Sequence, residues 1–244
     1  MKVYGITHRG AVRKENQDTF RYDLSEDGAL LTAVLCDGMG GARGGALASG
    51  IAADAFMSHA ANSLDETSSA EDMRSILTDA VDYANAKVYE RALNDYTYMG
   101  MGTTLVGFLS NGKRIIIANV GDSRAYLYTR IRLKQVTVDH SLVEDLIARG
   151  KLTREEGRVH PKKNIITRAV GVEASVKADL TEIKLPASGR LLLCSDGLSN
   201  IVPDDEMRKV LKQNKTPEDA CEALLALALQ NGAPDNVTIF IAQH

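Results

Sequence analysis

The chain has 244 residues, 44% hydrophobic and 25% charged, with 29 Lys and Arg against 32 Asp and Glu for a formal net charge of −3. That composition supplies a sizeable core and excludes a disordered or fibrous chain, and its slight acidic excess argues against nucleic acid as the main partner. No run approaches the roughly 18–20 apolar residues of a membrane span, and the opening MKVYGITHRGAVRKENQD turns polar before a signal-peptide core forms, so the expected location is the cytoplasm.

Strand-length apolar runs occupy 29–36, 103–109, 114–120, 125–128, 190–194 and 237–242, most of them bounded by Gly, Asn or Asp. Helical patterns cover 46–60 and 70–94. In the second of these, Met73, Ile76, Leu77, Ala80, Val81, Ala84 and Val88 keep the three-and-four spacing of one apolar face. A further helical pair covers 203–213 and then a run from Thr216, as N-cap, and Pro217 through Leu229, with Gly232 just past its end. Cys36, Cys194 and Cys221 each sit inside an apolar run and read as packing residues in a reducing compartment. The stretch SLDETSS at 63–69 reads as a loop, and no internal repeat is visible.

Residues 137–171 differ in character, with capping boxes at Ser141/Glu144 and Thr153/Glu156, a stop at Gly150 and the basic tail RVHPKKN. They read as a short helical insertion. Runs of strands interspersed with paired helices, rather than strict alternation, predict sheets covered by helices on the outside: an α+β fold in one domain spanning 1–244.

Four of the strand-like runs meet an aspartate at one end: Asp37, Asp122 and Asp196 follow their strands, and Asp235 precedes the last. Asp18 closes the earlier segment RKENQD. A single Asp-Gly pair after a strand is an ordinary turn. Several carboxylates on one rim of a sandwich repel one another unless a cation neutralises them. An all-oxygen set without a Cys or His cluster favours Mg²⁺ or Mn²⁺ over zinc. Asp37 is the best bridging candidate, because the Asp37-Gly38 turn can offer a carboxylate and a peptide carbonyl to adjacent ions.

The motifs Arg13 with Asn16-Gln17-Asp18, Asp37-Gly38-Met39-Gly40-Gly41, Gly102-Thr103-Thr104, Val120-Gly121-Asp122-Ser123-Arg124, Ser195-Asp196-Gly197-Leu198 and Asp235-Asn236 together resemble, in order, those of the PP2C or PPM metal-dependent serine/threonine phosphatases in their compact bacterial form. The resemblance implies a central β-sandwich of two antiparallel sheets with a pair of helices on each outer face, and a flap at about 137–171 that touches substrate. It implies that Asp37 bridges two Mn²⁺ or Mg²⁺ ions, that Gly38 offers its carbonyl to one, and that Asp196 and Asp235 bind the other. Asp18 would hold metal-bound water, and Asp122 with Asp196 a third ion. The implied reaction is direct attack of a water bridging the two ions on phosphoserine or phosphothreonine. The implied partners are phosphoproteins made by a cognate kinase, met by a monomer. Arg13, with its planar fork of donors, would clamp the phosphate.

The sequence also departs from that pattern. Gln17 stands where many relatives carry Glu, Met39 where animal members have a histidine, and Ala42 and Ala46 replace a common His and Glu. His8, His140 and His160 are thereby left as unassigned candidates for a general acid. These departures motivate an alternative, a catalytically weak or inactive module of the same fold that binds phosphoproteins or a partner. A dinucleotide fingerprint in GMGGARGG fails because Arg43 falls where the third glycine belongs. A two-metal nuclease lacks the expected basic, aromatic-rich stripe.

Overall fold

The computed structural model describes the backbone of all 244 residues and every side chain except those of Ala42 and Arg43. Strand β1 (Lys2–His8) is followed by β2 (Asp18–Leu24), β3 (Leu31–Met39) and helices α1 (Gly41–Ala60) and α2 (Ala70–Leu93). Next come the two-residue β4 (Gly102–Thr103), then β5 (Leu105–Ser110), β6 (Ile115–Val120), β7 (Arg124–Tyr128) and β8 (Leu133–Gln135). Short helices α3 (Leu142–Ala148) and α4 (Arg154–Arg158) precede β9 (Asp179–Ile183) and β10 (Arg190–Cys194). The chain ends with the one-turn α5 (Asp196–Ser199), then α6 (Asp204–Gln213), α7 (Pro217–Gln230) and β11 (Val237–Gln243). One sheet runs β2-β3-β5-β6-β9 with β4 paired to the end of β3, and the other runs β1-β11-β10-β7-β8. The strand pairings in both are antiparallel.

Side-chain alternation along the central strands explains why they read as unbroken apolar runs. In β3, Leu31, Ala33 and Leu35 enter the space between the sheets, whereas Val34 and Cys36 enter the layer beneath α1 and α2. In β10, Leu191 and Leu193 face the other sheet and Leu192 and Cys194 face the layer under α6 and α7. Strands covered on both faces have no solvent side on which to place polar residues. The result is helix layer, sheet, sheet, helix layer, as expected. Among the described residues no helix is long and apolar enough to cross a membrane.

The sequence reading missed the strands that lie at or near sheet edges. In β1, KVYGITH is mostly half-buried, and in β2, DTFRYDL sends Phe20 and Leu24 inward while Arg21 pairs outward with Asp54. Such strands bury one face only and break the apolar run. Gly5 in β1 lets the Phe20 ring pack directly over the strand, where a Cβ would push that ring aside. The other difference concerns α1, which begins at Gly41, five residues before the expected start at Ala46. A Cβ at Gly45 would lie 2.7 Å from both Gln17 Oε1 and the Gly38 carbonyl oxygen, so close packing at the site overrides the poor helix propensity of glycine. The Thr153/Glu156 capping box is complete, whereas Ser141 only accepts from the Glu144 N–H.

Candidate active site

The β2–β3 register sets Asp18 directly across from Asp37, and the ends of β6, β10 and β11 bring the remaining acids to the same rim. Asp37, Gly38, Asp122, Asp196 and Asp235 line one cavity of about 520 Å³, together with Arg13. Asp18 is not among its lining residues. It is buried behind them, with Oδ2 accepting from Ser195 Oγ (2.8 Å) and Thr238 Oγ1 (2.7 Å).

Each position has a local cause. Asp37 is held through its backbone: its N–H donates to Thr104 Oγ1 (2.9 Å), and its carbonyl accepts from Thr104 N–H (2.9 Å) and Thr103 Oγ1 (2.8 Å). That leaves its side chain for the cavity. Gly38 donates its N–H to the Gln17 carbonyl (3.1 Å), and a Cβ there would run into the Gly45 and Gln17 carbonyls, so only glycine fits where the two segments meet. Asp122 follows Gly121, whose φ of 103° and contact with Thr104 suit glycine. The Gly121 N–H donates to buried His140 Nδ1 (3.1 Å) and its carbonyl accepts from the His140 N–H (2.9 Å), tying this turn to the start of 137–171. Asp196 opens α5, and its Oδ2 accepts from Asn200 Nδ2 (2.9 Å).

Asp235 accepts from Arg13 at Oδ2 (2.7 Å) and from the Asn236 N–H at Oδ1 (2.9 Å). Asn236, only 4% exposed, is a residue to which the sequence assigned no role. Its Oδ1 accepts from the Gln17 N–H (2.8 Å), and its Nδ2 donates to the Arg9 and Glu15 carbonyls (2.8 and 2.9 Å). One side chain thus pins the loop that carries Arg13. Thr238 was missed too, since a threonine in a strand reads simply as a β-former.

The acids strain one another electrostatically. Burial, and then the charges of Asp18, Asp196, Asp122 and Asp235, hold the Asp37 carboxyl well above the usual carboxylate range. Burial pushes Asp18 up to about 7 against the lowering effect of its two hydroxyl donors. Asp122 is pushed up to about 7 by burial and Asp196, and Asp196 to about 6 by burial and Asp235. Buried Asp18 Oδ1 and Asp196 Oδ1 have no hydrogen-bond partner.

A sequence model described as Protein phosphatase 2C matches residues 7–230. The chain belongs to that family. It is 36% identical over 238 residues to the serine/threonine phosphatase Stp of Listeria monocytogenes, covering 98% of this chain and 94% of that one. A crystal structure of a serine/threonine phosphatase from Staphylococcus aureus superposes with a TM-score of 0.92 at 36% identity, covering 99% of this chain and 94% of that one. The catalytic domain of the phosphatase PstP, solved in complex with two manganese ions, superposes with a TM-score of 0.84 at 33% identity, covering 99% and 97%.

The residues present suit such a metal centre. Its donors are hard oxygens, two buried carboxylate oxygens have no partner, and the mutual repulsion of the acids calls for a cation. Among the described residues no three acids are already closed into a ligand cluster; they line a wide cavity instead. The family's departures in this chain also acquire reasons. Gln17 Nε2 donates to the Gly41 carbonyl (2.7 Å), a bond that an ionised glutamate cannot make, and so braces the start of α1. Met39 lines the cavity, whereas the Ala42 side chain lies outside the described residues. None of the histidine candidates lines this cavity. His8 Nδ1 accepts from the Gly10 N–H, His160 Nδ1 from the Lys162 N–H, and His140 lies under the Gly121 turn. The cysteines are free and buried, and burial pushes the Cys194 and Cys221 thiols up to about 12, so they pack rather than react.

Proposed function

We propose that this family member hydrolyses phosphoserine and phosphothreonine in proteins, with Mn²⁺ or Mg²⁺ held by Asp37, the Gly38 carbonyl, Asp196 and Asp235. Asp122 with Asp196 would hold a further ion, and Asp18 would act from behind through water. The observation that carries this reading is the convergence of the four aspartates Asp37, Asp122, Asp196 and Asp235 and the Arg13 guanidinium on one cavity, with a buried, unpartnered oxygen on Asp196. Divalent ions in such a site supply Lewis acidity and make water nucleophilic at neutral pH.

The chain's own residues prepare that chemistry. Asp18, fixed by Ser195 and Thr238, leaves one oxygen free to orient water. Arg13 is half exposed and pairs with Asp235; were Asp235 to hold an ion, the guanidinium fork would be free to bind phosphate oxygens. No histidine lines the cavity among the described residues, so the reading assigns the leaving group's proton to no histidine side chain. The partners on this reading are phosphoproteins made by a serine/threonine kinase, met in the cytoplasm by a monomer.

The test is phosphate release from a phosphothreonine peptide, titrated with Mn²⁺ and then with EDTA, beside Asp235→Asn. Release that rises with metal and is lost in the variant supports the assignment. Folded, metal-binding protein that releases nothing from any phosphopeptide selects the binding module instead.

A further inference from the structure

Beside the carboxylate cavity lies a smaller groove of about 300 Å³, whose apolar wall is Met39, Ile166, Ala169, Val172 and Val176, with two hydroxyl side chains and three charged ones completing the lining. Met39 and Ile166 line both spaces, so the groove continues the wall of the site itself. Its shape depends on a glycine. A Cβ on Gly102 would lie 2.6 Å from Val172 Cγ2 and 2.9 Å from Met39 Cε, so both apolar side chains can approach β4 only because that position is bare. Val172 is 43% exposed, an uncovered aliphatic surface at the rim. Of the charges around the groove, Arg168 is already engaged by Asp179 (2.9 Å), which leaves Lys177 and Glu173 as rim charges of opposite sign. Neither sign dominates, so the groove selects by apolar contact rather than by charge.

We propose that this groove receives an aliphatic side chain of the substrate protein, Leu, Ile, Met or Val, close in sequence to the phosphorylated residue; the proposal rests on the phosphatase reading above. Its volume accommodates one such side chain, and its shared wall with the cavity means that a peptide seated at the acids passes over it. The Met39 departure then has a use, because the side chain that replaces an animal-type histidine forms apolar wall on both sides. In a hydrophobic pocket even one methylene discriminates by roughly 10-fold to 200-fold, and a groove this open falls at the low end.

The experiment measures kcat/KM for phosphothreonine peptides in which each flanking position in turn is Gly, Leu, Ile, Asp or Lys, with p-nitrophenyl phosphate normalising the chemical step. At one position Leu and Ile should exceed Gly by about tenfold. Val172→Asp should bring that ratio close to one and Val172→Ile should keep it. The rim location of Val172 lets both variants fold. Equal rates for Leu and Gly throughout, a preference for Asp or Lys, or a Leu preference that survives in Val172→Asp each overturns the groove while metal-dependent turnover of the Gly peptide upholds the phosphatase. No release from any phosphopeptide by folded protein overturns the phosphatase reading, and the groove with it.

Discussion

The strand ends and the insertion at 137–171 face the same cleft but are built on opposite terms. At the strand ends Asp37 is fixed by backbone register and Asp18 by buried Ser195 and Thr238, and buried Asn236 pins the loop beside Asp235. In the insertion, α3 buries only Val143 and α4 only Gly157, while Val159 and Ile165 are exposed. A second cavity of about 630 Å³ separates these short helices from the start of α6 and reaches Asp122 and Asp196. On the proposed reading, chemistry that needs fixed geometry sits where side chains are over-determined, and the insertion, where few contacts hold the two short helices, is left to select substrates.

The sharpest way to break this contrast is to remove a carboxylate from the strand ends. Asp37→Asn or Asp196→Asn should lower phosphopeptide turnover by more than about 100-fold, beyond the usual cost of a group that merely supports a ligand. Near wild-type rates in either would place the metal elsewhere. Asn236→Ala should cost about 3 kcal/mol of stability, because the Gln17 N–H and the Arg9 and Glu15 carbonyls lose a buried partner together. The same variant should raise KM, since the loop bearing Arg13 is released. Urea unfolding and peptide kinetics on one preparation check both effects.

The raised carboxyls give the metal-free protein a pH dependence of definite sign. Asp18, Asp122 and Asp196 hold protons more tightly when folded than the unfolded chain does at its ordinary value near 4. Their contribution to stability is complete below about pH 4 and is lost as pH rises towards 6 to 7. In EDTA the Tm should therefore fall between pH 5 and pH 8. Added Mn²⁺ should restore more at pH 8 than at pH 5, because binding requires the ionised acids. A metal increment independent of pH would contradict the strained acidic cluster.

Much of the fold was legible, because a strand covered on both faces writes a continuous apolar run and a capped amphipathic helix writes its own ends. The β10 strand appears in the sequence with its observed bounds, and Thr216, Pro217 and Gly232 mark α7. What was illegible depended on tertiary partners. Edge strands β1 and β2 lack the run, and the glycine-rich start of α1 is helical because Gln17 and Gly38 press against Gly45. The site was legible at its acids, since a strand followed by aspartate is a local pattern. Its supports, Asn236, Thr238 and His140, lie far in sequence from the residues they hold, and no local pattern marks such a contact.

The smallest expected effect tests the other side of the contrast. Ile165→Ser changes an exposed side chain, 46% accessible, in a segment with few buried contacts, so stability should move by no more than about 0.5 kcal/mol. Its neighbours Asn164 and Ile166 line the carboxylate cavity, and the Ile165 carbonyl accepts from the Leu142 N–H (2.9 Å) at the start of α3. That backbone bond survives the substitution. If the insertion serves selection alone, kcat for p-nitrophenyl phosphate should stay within about twofold while KM for at least one phosphopeptide changes by severalfold. A fall in both kcat values together would show that the insertion also holds the acids in place, and the division between fixed chemistry and adaptable selection would then fail at this residue.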